Sequence, residues 1–301
     1  MDTANLLEIL SPLVPQHFLA VASIANVGKN ISFLSASASK VVIHNSFVKG
    51  ENLADITAKA GSQSILASTL GMLLGVMLTP IVGSDWYNVA SCFAILSACQ
   101  QLFCYKSLKS VSIKSLNRQR MHILIDHFVL SALDDMRAGT FLKTKPFLLT
   151  HEQVSERELI FPSVSFEQGN NWLIIGCQLI DIASNADDFC KIRSIVGSNE
   201  KYILSCNHSK GPMVNLAFLE NATGLDIIRG VLHAYFLYHS VNKNMSVCHL
   251  DYDFISKSKR IMDTYFPVLV NEMLAKGWET DCKYIKIEES KTYRLRVEKQ
   301  Q

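Results

Sequence analysis

Charge is scarce in this chain. Charged residues make up 19% of its 301 positions, against 49% hydrophobic, which is below the roughly 25% charge usual for soluble domains and tilts the chain towards membrane association. The 29 Lys and Arg nearly cancel the 27 Asp and Glu, leaving a formal charge of +2. That is too small a field to gather a polyanion, so nucleic acid is not expected as a partner. No Lys or Arg precedes Lys29. The chain therefore shows neither the basic start of a secretory leader nor an Arg-rich transit peptide, and any organelle address is expected to be missing or internal.

Catalytic and metal-binding patterns are equally scarce. The eight cysteines, at 92, 99, 104, 177, 190, 206, 248 and 282, include no CxxC pair; their scatter among apolar neighbours suits reduced thiols in packed interiors, not a disulfide framework or a zinc site. There is no GxSxG and no HExxH. Gly28-Lys29 falls short of a phosphate loop, because Ser23 stands at the first glycine position and Asn30 replaces Ser or Thr. Cys206 and His208 lack two further ligands, His233 and His239 do not share a helix face, and His122 with Asp126 suits a surface pair. No catalytic residue, metal or cofactor is expected. Four glycosylation sequons begin at Asn30, Asn207, Asn221 and Asn244, a pattern short enough to recur by chance.

What the chain has is a long apolar tract. Between Lys59 and Lys106 the single formal charge is Asp85, so two uncharged runs, 60–84 and 86–105, flank a Gly-Ser-Asp-Trp turn. At about 1.5 Å per residue each is long enough for a hydrocarbon layer of about 30 Å. The first averages about 1.9 in hydropathy and the second about 1.0, weakened by Asn88, Gln100 and Gln101. The candidate transmembrane hairpin is 62–105. Lys40, Lys49 and Lys59 precede it and Lys106, Lys109, Lys114, Arg118 and Arg120 follow, so both hairpin ends would face the positive compartment, with Trp86, Tyr87 and Tyr105 at interfacial positions. Ala67, Gly71, Gly75 and Thr79 recur every four residues, a small-residue stripe that lets another helix approach closely. The alternative is the central helix of a large soluble bundle, since Pro80 and several hydroxyls dilute the run.

The most polar part of the apolar half is residues 25–59. Asn26, Lys29 and Asn30 share a helix face, Lys40 and His44 repeat the spacing with Asn45 beside them, and Gly50 interrupts before Glu51, Asn52 and Asp55 open a new helix that also carries Lys59. In lipid or tightly packed protein these groups must pair, because leaving each unpaired costs several kcal/mol. They are the candidate ligand or polar site, with a solvated helix face as the alternative.

Beyond about residue 150 charges return and short β-branched runs alternate with turns. Strands are predicted at 172–179, 201–207 and 213–220, a helix capped by Thr223, a second from 253 to 276 ending at Gly277 with a kink at Pro267, and edge strands in YIKIEES and YRLRVEKQ. The fold class is thus a mostly α-helical, membrane-associated N-terminal half, 1–145, and an α+β C-terminal domain, 150–301, divided within 141–153.

The string NVGKNISFLSASASK, followed by IHNSF and ENLADITAK, closely resembles the signature of the root UVB sensitive family; weaker likeness continues through the hairpin, SLNRQR at 115–120 and Lys276-Gly277-Trp278. Members usually carry a long upstream stretch, so the resemblance implies a chain lacking that part of the family domain. It further implies roles in UV-B response, early seedling development and auxin transport, links to vitamin B6, membrane and plastid association, and partnership between family members. The expected function is a membrane-associated, non-enzymatic protein. Its helical half would bind a partner or small solute, and the partner would be another family member or a second copy. Two alternatives stay open: a carrier or channel component, and a vitamin B6-linked cofactor-handling protein using Lys29 or Lys59 as an amine.

Overall fold

The computed structural model describes residues 1–48, 50–83, 85–139, 147–160, 172–207, 213–242, 252–280 and 295. They divide into two compact units, Met1–Val111 and Ser112–Gln301.

Every element of the first unit among its described residues is a helix. A short helix α1 (Asp2–Leu10) leads through two single-turn 3-10 segments into α2 (Phe18–Ser46), α3 (Leu53–Val82) and α4 (Trp86–Lys109). Gly50 and Gly83, at φ of +69° and +68°, turn the chain between them, a backbone state that costs glycine nothing. Among the described residues, two segments are long and apolar enough to cross a membrane, Pro15–Ser46 and Leu53–Val82, with mean hydropathies of 1.2 and 2.1. The sequence reading counted the second and missed the first, because Asn26, Lys29 and Asn30 interrupt its hydrophobic run. The expected hairpin is present as α3 and α4, with α3 beginning nine residues earlier, but α4 does not pass the same test.

Neither α3 nor α4 has a buried residue. Leu19, Ile65, Met72, Val76, Ile81 and Phe103 are each more than two-thirds exposed. Among its described residues the buried positions of this unit are Ala4, Ser11 and Ala25, so most of its apolar side chains are not covered by their own unit. Hydroxyls along the helices turn inward: Ser32, Ser35, Ser39, Thr57, Ser62, Thr69 and Thr79 each donate to the carbonyl four residues back, at 2.8–3.0 Å. This removes their need for water, Ser62, Thr69 and Thr79 of the apolar run among them.

The second unit has a conventional core. Its elements are α5 (Arg118–Arg137), α6 (His151–Arg157), β1 (Leu173–Ile175), α7 (Leu179–Ile182), α8 (Ala186–Val196), β2 (Tyr202–Asn207), β3 (Met213–Phe218), α9 (Gly224–Asn242) and α10 (Tyr252–Ala275). The sheet order is β1-β3-β2, with β1 parallel and β2 antiparallel to the central β3. Leu216 pairs with Ile175 on one side and Leu204 on the other. Helix α9 packs against β2, β3, α5 and α10 and is buried almost all round. Gly230 is what lets it lie so close: a Cβ there would come within 2.9 Å of Phe218 and 3.1 Å of Tyr202.

Strands β2 and β3 fall where the sequence reading placed them. The strand expected over 172–179 stops at Ile175, since Gly176 adopts φ +75° and Gln178 opens α7. Asp226 receives the Thr223 hydroxyl and backbone N–H, at 2.6 and 2.8 Å, at the start of α9, and α10 ends before Gly277 at φ +74°. The edge strands expected in YIKIEES and YRLRVEKQ lie outside the described residues except at Leu295, which bridges Leu219 in parallel. The expected boundary at 141–153 overlaps residues outside the description; α5, upstream of it, buries Met121, Leu124, Ile125, Phe128, Val129 and Ala132 in the core of the second unit.

Cysteine placement differs from expectation. Cys177 and Cys206 are buried, and burial pushes their thiols up to about 12 and about 11, as inert interior thiols should be. Cys99, Cys104 and Cys190 are exposed and Cys92 half-buried, because α4 is uncovered and Cys190 lies on the outer face of α8.

Candidate functional site

The polar residues of the first unit fall into two groups. Asn26, Lys29 and Asn30 sit near the middle of α2. Small side chains bring α1 against this stretch: Ala4 and Ala25 are buried, and a Cβ on Gly28 would lie 3.3 Å from that of Ala4. From α1, Glu8 forms an ion pair with Lys29, and Asp2 accepts hydrogen bonds from Ser97 Oγ (2.9 Å) and Gln101 Nε2 (2.5 Å) halfway along α4. Asn30 donates back to the Asn26 carbonyl at 3.0 Å. The carboxylates of α1 thus answer the ammonium of α2 and the polar side chains of α4 at about mid-helix. Residue spacing alone missed Asp2, Glu8, Ser97 and Gln101, because their pairing depends on α1 folding back.

The second group lies at the other end of α2 and the start of α3. Lys40, Asn45, Glu51 and Asn52 are exposed and His44 is half-buried. Lys59 pairs with Asp55 at 2.9 Å, one turn apart, both largely exposed. The structure does not bring Lys40, His44, Glu51 or Asp55 to the Lys29–Glu8 pair, since Lys40 and His44 lie several turns further along α2 and Glu51 and Asp55 follow its end. Ala67, Gly71, Gly75 and Thr79 form an exposed stripe on α3, with nothing within 4 Å of a Cβ built on either glycine.

In the second unit two networks appear. His233, fully buried on α9, has Nδ1 3.1 Å from Tyr202 Oη and Nε2 3.0 Å from Ser258 Oγ. Ser258 donates to the Ile255 carbonyl at 3.0 Å, so its oxygen accepts from Nε2–H while the tyrosine donates to Nδ1. Desolvation holds the imidazole down to about 3. This buried Ser-His-Tyr set is a neutral, hydrogen-bonded cross-link between β2, α9 and α10. Beside it, Arg229 and Lys259 alternate with Glu200 and Asp263 in a ring of contacts at 2.5–3.1 Å.

The second network joins α5 to α9. His122 is more than a surface residue: its Nδ1 hydrogen-bonds Tyr235 Oη, it is half-buried, and desolvation lowers its pKa, opposed by the charge of Asp126. Asp126 also lies 3.4 Å from His239. Trp172 stacks on Tyr238, with centroids 4.1 Å apart, and meets Tyr235 edge-on. The SLNRQR segment has a mechanical part. Asn117 Oδ1 caps α5 at Arg120 N (2.7 Å), and Arg120 clasps both Glu158 (2.8 Å) and the Ser115 carbonyl (3.0 Å). No group of three or more His, Cys, Asp or Glu placed to hold a metal occurs among the described residues.

The comparisons with known proteins match both halves. Residues 1–132 match the vitamin B6 photo-protection and homoeostasis domain, and residues 148–292 match the C-terminal domain of root UVB sensitive proteins. Root UVB sensitive 3 of Arabidopsis thaliana is 24% identical over 291 residues, covering 93% of this chain and 60% of that protein. Root UVB sensitive 2, chloroplastic, of the same plant is 27% identical over 282 residues with the same coverage. RUS family member 1 of Dictyostelium discoideum is 32% identical over 125 residues, 40% of this chain and 24% of its own length. The chain thus spans about 60% of the length of the first two relatives. No solved structure matches it. With the two domain models placed end to end along the helical unit and the α+β core, the chain belongs to the root UVB sensitive family.

Proposed function

We propose that this is a membrane-associated, non-enzymatic protein whose helical unit sits in lipid and engages a partner or small solute, with the α+β unit as its regulatory or interaction module. One observation carries the reading: the spanning-length segments Pro15–Ser46 and Leu53–Val82 are 6% and 0% buried over their most apolar windows, although a soluble bundle would cover such surface within its own core. The role we propose is in UV-B response and vitamin B6 homoeostasis, supported by the relatives' names and the family model's description. Early seedling development, auxin-related transport and plastid placement belong to the same reading; the chloroplastic relative supports the last. The partner is a second copy or another family member, docking a helix on the Ala67, Gly71, Gly75, Thr79 stripe.

Alkaline carbonate extraction of the full chain from its native membranes tests this. Retention in the pellet is expected, and release into the supernatant would reject it. The Glu8–Lys29 pair near the middle of α2 favours a second reading, a carrier component. Reconstituted vesicles in which Lys29 and Glu8 variants leave every tested solute flux unchanged would exclude that. The family model's description favours a third, handling of a vitamin B6 aldehyde. Lys29 and Lys59 are its candidate amines, although each is held by a carboxylate. It requires a Schiff-base absorbance band that one lysine substitution abolishes.

A further inference from the structure

We infer that the helical unit crosses the bilayer three times, through α2, α3 and α4, with its lysine-bearing end against an anionic leaflet and α1 packed back to half depth as the element that makes α2 and α4 tolerable there. This rests on the membrane reading above and adds the number and direction of crossings to it.

The lengths suffice. Helices of 29, 30 and 24 residues reach roughly 36–45 Å at 1.5 Å per residue, against about 30 Å of hydrocarbon. By hydropathy α4 is the weakest, through Asn88, Gln100 and Gln101. Of these Gln101, together with Ser97 one turn before it, donates to Asp2 of α1. In α2 the offending group is Lys29, and Glu8 of the same short helix pairs with it. One element therefore answers the polar side chains of both flanking helices, at the depth where water could not.

Direction follows from charge. Few residues separate α2 from α3 and α3 from α4, and α3 packs on both, so the C-terminal ends of α2 and α4 share one end with the start of α3. That end carries Lys40, Lys59, Lys106 and Lys109, set against Glu51 and Asp55. The opposite end has Asp85 in its turn, and residues 1–28 and 60–105 contain no Lys or Arg. A charge difference of this kind retains the basic end on the cytoplasmic side of a membrane during insertion and attracts anionic lipid. Trp86 and Tyr87 then stand at the far interface, and the chain leaves the bilayer after Lys109 on the basic side.

The test is insertion of the full chain, made by cell-free translation, into rough microsomes. The readouts are carbonate extraction, glycosylation of an acceptor loop inserted between Gly83 and Asp85, and glycosylation of the native acceptor Asn221. The expected result is a pelleted chain glycosylated on the inserted loop, unmodified at Asn221 and cut by added protease beyond residue 112. A pelleted chain with glycan on Asn221, or with neither site modified and the inserted loop cut by added protease, overturns the topology while leaving membrane association standing. A carbonate-soluble chain overturns both. In a second arm, Lys40, Lys59, Lys106 and Lys109 are changed to Gln and two lysines are placed in the inserted loop. This variant should show a mixed glycan pattern, and an unchanged pattern would show that charge does not set the direction.

Discussion

Nε2 of His233 lies 3.0 Å from the Oγ of Ser258, and both side chains are fully buried. The imidazole is neutral, held down to about 3 from an ordinary value of 6.5, chiefly by desolvation. Above pH about 6.5 neither the native nor the unfolded chain binds a proton at this position. Between about 6.5 and 3 the unfolded chain takes one and the native chain does not, so stability falls as pH falls through that window and levels off below it. His122, lowered for the same reason, adds to the slope. Denaturant titration of the α+β unit's tryptophan signal from pH 8 to 4 should show a falling midpoint, and His233→Gln should flatten it. An equally steep dependence in the variant would remove His233 from the account.

Gly230 gives a sharper packing test. A methyl at this position meets Phe218 at 2.9 Å, Tyr202 at 3.1 Å and Leu216 at 3.3 Å, and all three neighbours are buried rings or branches that cannot move aside. Helix propensity favours alanine over glycine by about 1 kcal/mol, whereas overpacking of a filled core costs about 1–3 kcal/mol. The structure predicts that Gly230→Ala is net destabilising, with a thermal midpoint several degrees lower. A stabilised variant would mean that α9 does not sit this close to the sheet.

Arg120 and Glu158 test whether SLNRQR is a clamp. Their side chains are 12% and 17% exposed, so removing the cation leaves a mostly buried carboxylate without its guanidinium, while Asn117 still donates to it at 3.1 Å. Breaking one side of such a pair costs about 2–4 kcal/mol. Arg120→Leu should lose about that much in chemical denaturation. Arg120→Leu with Glu158→Leu should recover part of it, because the stranded charge is gone. Equal losses in the single and double variants would count against the clamp.

Local patterns carried much of the α+β unit and little of the helical one. Thr223, Gly277 and the short apolar runs at 202–207 and 213–218 act through neighbours close in sequence, so caps, strands and helix ends could be read directly. The allegiance of α5 to the second core could not, because its buried face meets residues more than 100 positions away, as His122 meets Tyr235. In the helical unit the polar spacing of Asn26, Lys29 and Asn30 was visible, but their partner helix was not: α1 has the composition of an ordinary short amphipathic helix. The spanning-length segment Pro15–Ser46 was hidden by the same lysine that α1 neutralises.

Glu8 and Lys29 make that last point measurable. If α2 lies in lipid, Lys29→Met removes a costly ammonium but strands Glu8, while Glu8→Gln strands the ammonium. Removing one member of a desolvated pair costs about 3–5 kcal/mol, whereas replacing both with uncharged groups is close to neutral. If α2 is solvated, the pair is an exposed contact worth about 0–1 kcal/mol, and all three variants behave alike. The expected order in detergent-solubilised or lipid-reconstituted full chain is therefore wild type close to Glu8→Gln/Lys29→Met, both well above either single variant, measured as the fraction surviving heat challenge without aggregation. Addition of salt discriminates further, since it screens an exposed pair over about 10 Å at 0.1 M and barely touches one in lipid. Single variants indistinguishable from wild type at every salt concentration would place Glu8 and Lys29 in water and remove α1 from its half-depth position.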